Sequence, residues 1–512
     1  MIRPATTALV VAAGVAVLVG GAALVGPPES VVEEHPGVRE PVVSSTLVCP
    51  YVGGESAGKA EVGVLALPGV AAPESAGEPA PVTVTALAAV RAPDPDATAE
   101  PEPTTPPEPE PVLTVPGRGA PVISEIETSA GTSFAVEGDG PLAPGLAAEQ
   151  SLLVQSTDLR GLSTTPCTPA TREQWFVGGS GVVGNRGRLV LANPTDVPAV
   201  VDIELWDEAG PIEAAGTQDL GVPARSQRIL LLDALAPESA RVAARVTTSQ
   251  GRVTAALEDR ESAEITPQGM TFIPAAVAPS THVVVPGVPG HGQRLLRIVA
   301  PGETDAIVSM RLLGPNGPFS PVDQDVLTVT AGSVAEVPLD GAGSDPVAVS
   351  LESDEPITAA VRVVDTPSDD GLPDVAYSAA AEPLSGPATA LLGRGSGGFT
   401  TTIMLSSVTD IGARATVTTL GADGVAATET PVDIPAGATV PVALELPDGV
   451  SYVSAIVEPA APGTVVAARE IVASDSDGAL LDLMPLISPA VEVQVPEVVG
   501  ELPAVPDPDE TE

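Results

Sequence analysis

The stretch FVGGSGVVGNRG, residues 176–187, contains Gly179-Ser180-Gly181-Val182-Val183-Gly184, the GxGxxG spacing of a dinucleotide-binding turn. That chemistry needs the third glycine to open a helix whose first amides hold a pyrophosphate. Here the chain runs on as RLVLANP, an apolar strand closed by an Asn-Pro turn. The glycines are therefore expected to turn a corner, and no nucleotide cofactor is expected. His35, His282 and His291 are the only histidines, and none stands at a metal-ligand spacing with a carboxylate. No serine occupies a GxSxG elbow between strand and helix. Paired carboxylates can hydrolyse glycosides, but sugar sites usually offer aromatic platforms. Tyr51, Trp175, Trp206, Tyr377 and Tyr452 are instead scattered along the chain. Two aspartate-rich stretches remain, DTPSDDGLPD (365–374) and SDSDGALLD (474–482). Asp475, Asp477 and Asp482 have the oxygens for a calcium ion, but the spacing misses the EF-hand and Asp-Gly commonly makes a plain turn. Both readings stay open, and no catalytic residue is assigned.

The elements that would position such groups follow from composition. Fifty-seven prolines and 51 glycines oppose long helices, and aromatics are 2% of 512 residues, so cores must be built from Val, Ala and Leu. Acidic residues number 67 against 22 lysines and arginines, a formal charge of -45, which excludes a nucleic-acid partner.

The chain repeats itself. VLTVPGRGAPVISEI (112–126), DLGVPARSQRILLLD (219–233), VLTVTAGSVAEVPLD (326–340) and PVDIPAGATVPVALE (431–445) share one pattern, an alternating strand, a small-residue turn and a second alternating strand. Each reads as a β-hairpin. An alanine pair recurs downstream as Ala147-Ala148, Ala255-Ala256, Ala359-Ala360 and Ala467-Ala468, marking close approach of another layer. A repeat of about a hundred residues with about seven strands has the size of an immunoglobulin-like sandwich. The expected fold is thus all-β, with four tandem immunoglobulin-like β-sandwich repeats at 45–168, 172–275, 280–384 and 386–497. Trp175 and Trp206 are expected to fill the second repeat's core or its seam with the first. The leading apolar run appears a fifth time as AVEVQVPEVVG (490–500), which would complete the fourth repeat's sheet. Neighbours joined through continuous strands would make a stiff rod.

Residues 8–26 carry no charge over about the length that crosses a membrane as a helix, with Arg3 before and Glu29, Glu33 and Glu34 after. The expectation is a cytoplasmic stub (1–7), a transmembrane anchor (8–26), a linker (27–44) and an exported remainder. The alternative is a cleaved signal peptide and a secreted chain. In an oxidising exterior Cys49 and Cys167, the only cysteines, would be joined, the alternative being two free thiols. The insertion RAPDPDATAEPEPTTPPEPEP (91–111) and the acidic tail (501–512) are expected to be disordered, with Thr98, Thr104 and Thr105 open to glycosylation.

CPYVGG, CTPATREQWFVGGSG and LVLANPTD in this order, after a single N-terminal anchor, resemble an uncharacterised actinobacterial family, the domain of unknown function family 5719. The resemblance covers the exported part and implies a membrane-anchored envelope protein, in the company of envelope-glycan assembly enzymes, without established site residues. The expected function is a non-enzymatic single-pass envelope scaffold whose partner is an unknown envelope protein or glycan. An accessory factor binding a cell-wall glycan or an envelope glycan-assembly enzyme, and an unrecognised hydrolase, are the competing readings. A Cys49–Cys167 bond closes a loop worth about 4 kcal/mol, so the double alanine variant should lose about that much in a urea titration.

Overall fold

The alternation in AVVDIELW forms the strand Ala199–Trp206, burying Ala199, Val201, Ile203 and Leu205 while the residues between them face outward. The structure, a computed structural model, describes residues 38–52, 58–71, 80–89, 110–126, 131–322, 324–366, 371–395, 397–421, 423–445 and 452–495. Strands predominate. Among the described residues, helix is limited to Leu232–Leu235 and the 3-10 turns Gly140–Leu142 and Asp340–Ala342.

Pro41–Glu492 is one compact unit of paired sheets. In its last pair, one sheet has the order Ala388–Arg394, Tyr452–Pro459, Ala413–Leu420, Ala426–Ile434. The facing sheet runs Thr439–Leu444, Thr400–Ser407, Val465–Ser474, Ala479–Pro485. Counted along the chain, these are strands first-sixth-third-fourth and fifth-second-seventh-eighth. Three further pairs upstream keep that order, the third with its sixth and seventh strands fused into Val347–Asp365. Each pair encloses its own apolar core.

This order departs from expectation in two ways. In the immunoglobulin arrangement the first, second and fifth strands share a sheet, and the third, sixth and seventh share the other. Here the first strand pairs with the sixth and the seventh with the second. The expected hairpins are also arches. Leu220–Val222 bonds to Ala199–Trp206, whereas Ser226–Leu231 bonds to Arg188–Asn193 in the opposite sheet. Period-two alternation is the same for a hairpin and an arch, because it records the buried face and not the bonding partner.

Nor is there a rod. The first strand of each pair lies on the seventh strand of the next: Ser44–Val52 on Thr254–Ala263, Glu173–Val177 on Val347–Asp365, Ser280–Val288 on Val465–Ser474. Ala388–Arg394 then lies on Leu146–Gln155 of the first pair, which closes the cycle. The recurring alanine pairs sit in these seventh strands and are buried. A Cβ added at Gly287 would stand 2.3 Å from the Cβ of Ala468, so the close approach expected of them is present. The closing seam has buried ion pairs, Arg469–Glu149 at 2.5 Å and Arg394–Glu61 at 3.0 Å, beside Leu65, Leu67, Leu391 and Leu392.

The four eighth strands, Arg160–Pro166, Thr266–Ile273, Asp374–Ala379 and Ala479–Pro485, are sheet edges that pack on one another around the centre of this cycle. Unpaired edge amides need acceptors. Asp374 provides them. Its Oδ2 accepts from the amides of Leu162 and Leu481, both at 3.0 Å, and its Oδ1 from Val375 at 2.9 Å and Met270 at 3.3 Å. One carboxylate thus takes an amide from each of the four sheet pairs. Gly269 gives it room, since a Cβ there would lie 2.9 Å from Asp374 Oδ1. Burial pushes the Asp374 pKa up to about 8, while the four amides pull it down.

The strands Val38–Pro41 and Glu492–Val495 pair with each other, and their residues 38–40 and 493–495 belong to the second, small unit. The fifth apolar run therefore does not complete the fourth pair's sheet. The stub 1–7, the expected anchor 8–26, His35, Thr98, Thr104, Thr105 and the tail 501–512 lie outside the described residues, as do nearly all of the insertion 91–111 and most of the linker 27–44. Among the described residues no helix is long and apolar enough to cross a membrane. The longest α-helix there has four residues, against about 20 for a span. The transmembrane helix, the single-pass topology and the membrane contact expected from the sequence are corrected accordingly.

Replacing Asp374 with alanine leaves four buried amides without their acceptor. At roughly 1–3 kcal/mol for a buried orphan group, Asp374→Ala should cost at least about 3 kcal/mol, read as a lowered urea midpoint.

Candidate functional site

Each eighth strand ends near a proline, which has no amide to continue a ladder. The segments that leave these ends, beginning at Pro166, Pro274, Ala380 and Pro485, converge on an open cavity of about 540 Å³ at the centre of the cycle. Its floor is apolar, with Phe176, Phe272, Ala255 and Ala256 buried beside Thr165. Its mouth carries exposed Ile487, Ser385 and Glu382, and Glu382 is its one charged lining residue among the described residues. A neighbouring cavity of about 250 Å³ lies on the closing seam and shares Pro166, Pro485, Ile487 and Ser488 with the first. A third, of about 320 Å³, lies between the third and fourth pairs and is polar, with Arg311, Glu352 and Asp410. There His282 Nε2 stands 3.4 Å from Ser350 Oγ. No carboxylate among the described residues is bonded to His282 to orient it, as an activated serine requires.

The proposed calcium ligands are not brought together. Asp475 accepts from Arg160 and Gln155, each at 2.8 Å, and from the amides of Asp477 and Gly478 in its own turn. Asp482 is buried, accepting from the Thr164 amide at 2.7 Å and the Thr164 hydroxyl, with Arg469 at 3.5 Å. Burial pushes its pKa up to about 6 against the pull of Arg469. Among the described residues no group of three or more His, Cys, Asp or Glu side chains is placed to hold a metal ion.

Cys49 and Cys167 form the expected disulfide. Trp175 and Trp206 stack with ring centres 5.2 Å apart, but in a seam with Val299, Val334 and Ala360 of the third pair, not the first. The glycines of GxGxxG permit close backbone approach. A Cβ at Gly181 would be 1.8 Å from the Ala236 carbonyl oxygen, and one at Gly184 would be 2.3 Å from that of Ser262. The strand Arg188–Asn193 follows, with no helix to hold a phosphate. Tyr377 is buried nearby, its hydroxyl accepting from Arg297 at 3.3 Å. Tyr452 donates to Glu61 in the closing seam. The side chain of Tyr51 lies outside the described residues.

Sequence reasoning missed the cavity because its lining is proline, alanine and threonine. The one available signal was a proline recurring where each repeat ends.

Residues 122–445, more than half of the chain, match a family of unknown function, DUF5719. The chain belongs to the DUF5719 family. The DUF5719 match opens at the fifth strand of the first sheet pair, Val122–Ile126, and closes just past the fifth strand of the last, Thr439–Leu444. Both strands that close the cycle, Leu146–Gln155 and Ala388–Arg394, fall inside it, whereas their ion-pair partners Arg469 and Glu61 fall outside. No curated protein matches the chain.

His291 bridges Glu470, at 2.9 Å, and Asp365, at 3.5 Å. Bonding to Asp365 and Glu470 raises its pKa from 6.5 to about 10, so the stability it contributes is complete below about pH 6.5 and lost as pH rises through about 10. Thermal midpoints should fall across that range more in the native chain than in His291→Asn, by a small margin because the imidazole is 42% exposed.

Proposed function

We propose that this chain is a non-enzymatic, extracytoplasmic interaction protein. It is built from four duplicated β-sandwich modules, at about 45–168, 172–275, 280–384 and 386–491, the last shorter than the expected 386–497 because Glu492–Val495 pairs with Val38–Pro41. Modules related by duplication account for the strand order common to the four sheet pairs. The disulfide favours an oxidising compartment. The observation that carries the reading is the central cavity, where segments from all four sheet pairs meet around an apolar floor with one exposed carboxylate. Such a site is suited to binding. The hydrolase reading would need converging acids. The buried acids Glu149 and Glu61 instead serve as partners of Arg469 and Arg394.

A second reading, recognition of a cell-wall glycan, is favoured by the polar cavity of His282, Arg311, Glu352 and Asp410, whose groups match sugar hydroxyls.

A photo-crosslinking residue at Ile487, at His282 or at the 95% exposed Ile411 separates these readings in cells. Capture from Ile487 alone is the expected result. Capture from His282 alone transfers the function to the polar cavity, and equal capture from all three positions overturns both.

A further inference from the structure

We propose that the central and seam cavities are two lobes of one site for a single unbranched aliphatic chain bearing an uncharged or cationic head group. This rests on the reading of the chain as a binding protein and adds its ligand class.

Adjacency comes first. The lobes, about 540 and 250 Å³, adjoin at Pro166, Pro485, Ile487 and Ser488, which line both, and Ile487 at that border is exposed. A flexible chain can pass over that border from one lobe to the other, and a rigid disc cannot. The lining then selects carbon. The central floor presents Phe176 and Phe272, and the seam lobe presents Leu47, Leu146 and Met484, all buried. The prolines between them have no amide to donate, so little is offered to organise a polar ligand. Each methylene withdrawn from water contributes about 0.8 kcal/mol.

Charge selects the head group. Among the described residues no lysine, arginine or histidine lines either lobe. Glu149, in the seam lobe, is already bonded to Arg469 and to the Leu391 amide, which leaves exposed Glu382 as the charge a ligand meets at the mouth. With a formal charge of -45 on the whole chain, an anionic head group is repelled and a cationic or neutral one is not. The hydroxyl of Ser385 beside Glu382 can bond a neutral polar head.

The test is calorimetric titration of the full-length chain, below micelle-forming concentrations, with three twelve-carbon amphiphiles: dodecyltrimethylammonium, dodecyl maltoside and dodecyl sulfate. Saturable one-to-one binding is expected for the first two, each at least about tenfold tighter than the sulfate. Hexyl maltoside should bind at least about tenfold more weakly than its dodecyl counterpart. Ala381→Trp fills the central lobe and keeps the Ala381 amide bond to the Val284 carbonyl, so it should weaken binding by about tenfold or more at an unchanged melting temperature. If that variant melts lower, Ser385→Trp at the exposed mouth decides instead. Glu382→Lys should bring the sulfate level with the ammonium. Absence of saturable binding, sulfate binding as tightly as ammonium to the native chain, or a stable filled variant with undiminished affinity would each overturn the proposal. A partner captured from Ile487 alongside no amphiphile binding would sink this inference and leave the interaction reading standing.

Discussion

Four sheets cannot end against one another unless their edge amides are satisfied, and one side chain at the centre of this molecule satisfies an amide of every sheet pair. Asp374 has two oxygens, and each accepts two backbone donors, so that every sheet pair contributes one amide. The acceptor comes from one eighth strand, and Gly269 on another leaves the space that it occupies. Asp482, on the eighth strand of the last pair, takes the Thr164 amide in the same way.

Around that point the stabilising forces change with distance. The cores of the four pairs are aliphatic, as a composition poor in aromatics requires. The seams carry the charge. Arg469, fully buried, is held by Glu149, Thr164 and Asp482, and Arg297 by Glu336 and the Gly179 carbonyl. Buried arginines without such partners would be strongly destabilising, so these pairs fix which surfaces meet more than they add to stability. With 22 basic residues among 67 acids, much of the available positive charge is committed to internal contacts.

Local features were legible in the sequence. The strands, the glycine corners and the alanine pairs under a second layer follow from what neighbouring residues require of one another, and the cysteine bond from there being two cysteines in all. What escaped depends on partners far apart in the chain. Leu220–Val222 and Ser226–Leu231 alternate alike whether they bond to each other or to opposite sheets. Asp475 and Asp482 look like cation ligands until Arg160 and Arg469 are seen beside them, more than 300 residues distant in one case. The stacked tryptophans, expected in the second repeat's core or its seam with the first, instead lie against Val299 and Ala360 of the third pair. The central cavity left the faintest trace, since its lining residues are ordinary strand endings that gain meaning only when four of them converge.

The closing seam also has a temporal meaning. Glu149 and Arg469 are separated by 320 positions, and three of the four seams join sheet pairs adjacent in the chain while this one joins the first to the last. During synthesis the first sheet pair emerges with its seventh strand uncovered and Glu149 lacking its cation. It must wait in that state until the last pair arrives. Assembly is therefore obliged to finish at the seam, and the half-made chain exposes there the surface most open to a chaperone or to wrong pairing with another copy.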